Sequence, residues 1–80
     1  MQVQILFLGR LQDVAGKDAT DVEVRAGDTI GTLIASFDAA LAANLSSDRV
    51  RIALNGVLTA RDAVLADGDE VAFLPPVSGG

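Results

Sequence analysis

Apolar residues at the start of the chain fall on every second position: Val3, Ile5 and Phe7 share one face and Gln4 lies on the other. Leu6 and Leu8 then make that second face apolar too, so residues 3–8 predict a strand covered on both sides at its far end. Arg10 to Ala15 fit one or two helical turns, with Gly16 as a stop. Asp21 to Arg25 alternate Val22 and Val24 with charged residues, which predicts a half-exposed strand, and Ala26-Gly27 a turn. Asp28 or Thr29 suits an N-cap, and from there Ile30, Leu33, Ile34, Phe37, Leu41 and Leu45 recur at three- and four-residue spacing. That spacing predicts one amphipathic helix, despite Gly31 near its start. Arg49 to Leu54 alternate again, Asn55-Gly56 is a tight-turn signal, and Val57-Leu58 make a short strand. Asp67-Gly68-Asp69 turns into a last strand, Glu70 to Leu74, with Val71 and Phe73 on one face and Ala72 and Leu74 on the other.

The order is strand, strand, one long helix, strand, short strand, strand. One helix covers one face of a mixed four- to five-stranded sheet, an α+β arrangement. The first two strands should pair antiparallel. The last reaches the first only after the helical crossover, most simply in parallel. This is the β-grasp (ubiquitin-like) layout, with a folded domain over residues 1–74 and a flexible tail over 75–80.

At 80 residues the chain is one small domain, and half its residues are apolar along the whole length, which argues against a disordered chain. The net charge of −5 argues against nucleic-acid binding, which needs clustered Lys and Arg. There is no Cys and no His, which removes disulfides, thiol catalysis, the usual general base and the commonest metal ligand. No signal peptide or membrane-spanning run stands out, so a cytoplasmic protein without membrane contact is expected.

The last six residues, Pro75-Pro76-Val77-Ser78-Gly79-Gly80, carry the chemistry. Gly79 and Gly80 form a backbone strip without side chains, thin enough for a narrow pocket in another protein. Pro75 and Pro76, with fixed φ and no N–H, hold that strip away from the domain. Fully extended, the six residues reach ~20 Å. A carboxylate is a poor electrophile and must be activated, most simply as a mixed anhydride with AMP. A sulfur donor then displaces AMP and leaves a thiocarboxylate, a strong, soft nucleophile. No residue of the chain is suited to catalyse those steps, so the catalysts are expected on partner proteins.

The run Asp67 to Gly80, above all Phe73-Leu74-Pro75-Pro76-Val77-Ser78-Gly79-Gly80, closely resembles the C-terminus of the small, sulfur-carrier subunit of molybdopterin synthase. That family belongs to the ubiquitin-like β-grasp group. The likeness extends over Val3 to Leu8, Gly16-Lys17-Asp18, the Thr29-led helix and Leu54-Asn55-Gly56; Leu74 stands where an aromatic is common. The resemblance implies a non-catalytic, sulfur-donating subunit of a heteromeric synthase. A ubiquitin-activating-like adenylyltransferase would use ATP to adenylate Gly80, and a sulfur donor protein would convert it to a thiocarboxylate. The tail would then enter the large synthase subunit and pass sulfur to a cyclic pyranopterin monophosphate. The family assembles two small and two large subunits, and neither ATP nor pterin is expected to be held by this chain alone.

Leu6, Leu8, Ala72 and Leu74 point from the face opposite the helix, near the exit of the tail. Two arrangements are open: loop residues such as Leu58 or Val64 fold over this patch, or it stays bare as a docking surface, the reading favoured here. In the resembled family this face, with a residue matching Leu58, binds the activating enzyme and the large subunit, followed by the segment Pro75 to Ser78. The acidic turn Asp67-Asp69-Glu70 fits a solvated turn as well as a steering role. Lys17 reads as a surface residue, and Asn55-Gly56 as a hairpin turn and little more. Rival functions are a sulfur carrier for thiamine or cysteine synthesis, a ubiquitin-like protein modifier, and a plain β-grasp interaction domain.

Overall fold

The computed structural model describes residues 1–76. Val77, Ser78, Gly79 and Gly80, on which part of the tail reading falls, lie outside the described residues. Five strands, β1 (Gln2–Phe7), β2 (Ala19–Glu23), β3 (Arg51–Leu54), β4 (Val57–Thr59) and β5 (Glu70–Leu74), form one sheet in the order β2-β1-β5-β3-β4. Three helices accompany them: α1 (Leu11–Ala15), α2 (Ile30–Ala35) and α3 (Ala39–Leu45). β1 and β5 run parallel at the centre, and the other neighbours are antiparallel. The expected mixed β-grasp sheet is present.

Alternation decides which face is buried. Val3, Ile5, Phe7, Ile52, Val71 and Phe73 sit in one core with Leu11, Ile30, Leu33, Ile34, Leu41 and Leu45 from the helices. Phe7 lies between two rings, stacked on Phe73 and edge-on to Phe37, with both centroid separations 6.1 Å.

The single long helix expected from Ile30 to Leu45 is instead two. Ser36 and Phe37 N–H groups donate to Leu33 and Ile34 carbonyls, a tightening to three-residue hydrogen bonds that ends α2. The Ser36 hydroxyl donates to the same Leu33 carbonyl at 2.6 Å. Asp38 is extended (φ −60°, ψ 159°), and its carboxylate accepts from Leu41 N at 3.0 Å, starting α3. The apolar spacing ran through this break because spacing reports which residues face the core, and Phe37 still faces it.

Of the two candidate caps, Thr29 starts α2. Its hydroxyl accepts from Thr32 N while the Thr32 hydroxyl accepts from Thr29 N, a reciprocal box worth about 1 kcal/mol. The Asp28 carboxylate accepts from Arg25 N and closes the preceding turn. Strand limits differ from the sequence reading by one or two residues, with β2 starting at Ala19 and β3 at Arg51.

Asn55 does more than turn the β3–β4 hairpin. It holds φ 51°, and its side chain donates to the Asp69 carboxylate and accepts from Glu70 N, both at 2.9 Å. Asp67 accepts from Gln2 N, and the other Asp69 oxygen accepts from Ala66 N. The acidic turn is thereby tied to the start of β1 and to the hairpin, which fixes where β5 begins.

Candidate functional site

Strand register brings the outward-facing residues into one row. Ala19 pairs with Leu6, Leu6 with Ala72, Ala72 with Ala53 and Ala53 with Leu58, so the row crosses all five strands. These five side chains lie on the face away from the helices. Leu58 is 60% exposed; Leu6, Ala53 and Ala72 are half-buried among their neighbours. Leu58 therefore does not fold over the patch but forms its outer end. Val64, the other proposed cover, is 61% exposed and bridges to Thr29 at the start of α2.

The row continues toward one end of the sheet through Leu8 and Leu74. Leu8 is 39% exposed, and its N–H extends the central ladder by donating to Phe73 O at 3.1 Å. Leu74 is half-buried and pairs with Arg51. Because β1 and β5 are parallel, both end here, and Pro75-Pro76 leave from the same edge. Thus Leu6, Leu8, Leu58, Ala72 and Leu74 share one face, with Leu8 and Leu74 beside the tail exit.

Pro75 and Pro76 are half-buried. Gly9, at φ +55°, turns the chain after β1, and a Cβ built there would lie 2.9 Å from Pro75 Cγ. A side chain at this position collides with the ring that begins the tail. Sequence reading passed over Gly9 and Ala53. Gly9 carries no signal of this contact in the sequence, and Ala53 is one small residue within the alternating run Arg49 to Leu54; only the β3–β5 and β3–β4 registers put Ala53 inside the row.

The site is a bare apolar face leading to a tail base of fixed direction. An apolar face left open in this way is the kind of surface that marks a protein interface.

The chain matches the ThiS family over residues 5–80. It is 34% identical over 80 residues to the molybdopterin synthase sulfur carrier subunit of Escherichia coli, covering 98% of this chain and 99% of that one. The subunit of the same name from Chlamydomonas reinhardtii is 36% identical over 86 residues, with both chains covered in full. Among solved structures, SAMP1 of Haloferax volcanii, a small archaeal modifier protein, superposes with a TM-score of 0.85 at 29% identity over the whole of both chains. With the match running from inside β1 through the final glycine, and with relatives above 30% identity along their full length, this chain belongs to the ThiS family.

Proposed function

We propose that this chain is the sulfur-carrier subunit of a molybdopterin synthase, acting in molybdenum cofactor biosynthesis. The observation that carries the proposal is the row Ala19–Leu6–Ala72–Ala53–Leu58, an uncovered apolar band that Leu8 and Leu74 continue to the exit of the tail. Full-length similarity to two molybdopterin synthase sulfur carrier subunits supports the same reading.

In this proposal the Gly80 carboxylate attacks the α-phosphorus of ATP on an adenylyltransferase of the ubiquitin-activating type, and pyrophosphate leaves. A donor protein delivers sulfur at the sulfide level, which attacks the acyl carbon of the adenylate and expels AMP, leaving a thiocarboxylate. The large synthase subunit takes up the loaded tail, and the thiocarboxylate sulfur attacks a carbon of a cyclic pyranopterin monophosphate held there, displacing an oxygen substituent. Water then cleaves the acyl C–S bond, leaving sulfur on the pterin and returning Gly80 as a carboxylate. The carrier makes and breaks no bond except at its own terminus. Gly79 lets the strip enter a channel that a side chain would block. Leu6, Leu8, Leu58, Ala72 and Leu74 make the contact surface, and Pro75, Pro76, Val77 and Ser78 line the approach. ATP and pterin belong to the partners, the assembly is a heterotetramer of two small and two large subunits, and the setting is the cytoplasm.

Mass spectrometry of the chain incubated with the activating enzyme, ATP and a sulfur donor tests the loading step. The expected product is heavier by the exchange of one oxygen for one sulfur, and it supports pterin sulfuration when the large subunit is added. An unchanged mass, or loading without any transfer to pterin, overturns the proposal. Similarity to a small archaeal modifier protein gives a second reading, in which the terminus ends in an isopeptide bond to a target lysine. Adducts of higher mass on cellular proteins would favour it.

A further inference from the structure

The chain is acidic overall, yet three of its six cationic side chains gather where the tail leaves the domain. Arg49 and Arg51 border a recess that also contains Asp48 and the two prolines. On the other side of the prolines, Arg10 and Arg49 border a second recess with Val14 and Asn44. Pro75-Pro76 thus lie between two recesses, each bordered by arginines. All three arginines are exposed. Among the described residues the sole ion pair joins the Met1 ammonium to Glu23, at 3.6 Å, so none of the three is neutralised by a carboxylate there.

Charge is also sorted along the strand axis. At the opposite end of the sheet, Glu23 pairs with Gln2, Asp21 and Glu70 flank Gln4, and Asp67 and Asp69 hold the turn before β5. The far end therefore gathers carboxylates, while the tail end carries the three arginines with Asp48 among them and Asp18 just before β2. A fourth arginine, Arg61, is spent internally, donating to the Leu45 and Ser47 carbonyls behind α3.

From Pro76 the four remaining residues span at most ~14 Å. That exceeds the screening length of about 8 Å at physiological ionic strength, so the collar acts on whatever borders the mouth of a receiving pocket and not on chemistry at the tip. Exposed charges of this kind set orientation and encounter rate more than final affinity.

We propose that Arg10, Arg49 and Arg51 form a collar that docks on a carboxylate-lined rim around the pocket receiving the tail, and that attraction between collar and rim speeds the tail-first encounter. The occupant is the large subunit of the synthase, so the inference rests on the function proposed above. The apolar row then seats against a surface that the arginines have already aligned.

The test is the association rate of this chain with the large synthase subunit of the same organism, by stopped flow, at about 25 mM and about 500 mM salt. Arg49→Glu and Arg51→Glu are compared with Arg25→Glu, which makes the same change of charge at the far end. The collar variants should associate about tenfold more slowly at low salt, with the gap closing at high salt, and Arg25→Glu should stay within about twofold of the unaltered chain. The neutral variants Arg49→Gln and Arg51→Gln should fall between, and circular dichroism confirms folding of each. Equal rates for collar and unaltered chains, or equal slowing by Arg25→Glu, overturn the collar alone. Failure of the unaltered chain to bind the large subunit overturns the functional reading with it.

Discussion

Gly9 and Pro75 are in mutual contact across the end of the central strand pair, and the contact exists because Gly9 has no side chain: a Cβ there would stand 2.9 Å from the proline Cγ. The residue also holds φ +55°, a region that costs an alanine about 1–2 kcal/mol. Gly9→Ala should lower stability by about that amount and push Pro75 aside, re-aiming the tail. Sulfur transfer to the large subunit should fall more than tenfold while the variant remains folded at the assay temperature. Thermal unfolding and single-turnover transfer measured together check this, and a transfer rate equal to that of the unaltered chain contradicts it.

Leu58 lies at the outer end of the apolar row and contributes little to the core, being 60% exposed. Leu58→Ala should shift folding stability by no more than about 0.5 kcal/mol. It should weaken binding to the large subunit by about tenfold, the loss expected when a large apolar contact side chain is truncated. Titration calorimetry reads the second effect, and unchanged affinity would remove Leu58 from the interface.

Ala53 faces outward between Ala72 and Leu58. Ala53→Glu leaves the core untouched but would bury an unpaired carboxylate against any partner. Affinity should drop by about a hundredfold or more, with a melting temperature close to that of the unaltered chain. Co-purification with the large subunit is a sufficient readout, and a stable complex would show that the row is not what docks.

The Asn55 side chain makes two hydrogen bonds to the β5 entry, from a backbone at φ 51°. Asn55→Ala loses both and adds strain, for about 2 kcal/mol, or roughly 8–16 °C in melting temperature for a domain of this size. Asn55→Gly loses only the hydrogen bonds and should cost about half as much. Calorimetric melts of the pair separate the two terms. Equal losses would mean that the backbone angle carries no strain.

Much of this fold was legible because burial imposes a period. Val3, Ile5 and Phe7 had to face one way, and Val71 and Phe73 had to match them, whatever else the chain did. The helix break at Ser36–Asp38 was not legible, since Ile34, Phe37 and Leu41 keep helical spacing across it. Its cause is local hydrogen bonding by Ser36 and Asp38, which competes with helix continuation without altering which residues are apolar. In the sequence Asn55 shows only as a turn residue, because its partners, Asp69 and Glu70, lie far along the chain and meet it only after β3 pairs with β5.

The same division runs through the site. Sequence alone determined the strand faces, the capped start of α2, the apolar character of Leu6, Leu8, Ala72 and Leu74, and a glycine-ended tail. Tertiary structure decided that Ala19, Ala53 and Leu58 join those residues in one row, that Gly9 meets Pro75, and that Arg10, Arg49 and Arg51 border the recesses beside the exit. The physical reason is that alternation tells each residue which side of its strand it occupies. Which residue stands beside it is set by register between strands distant in sequence, and that is fixed only when the whole sheet closes on its core.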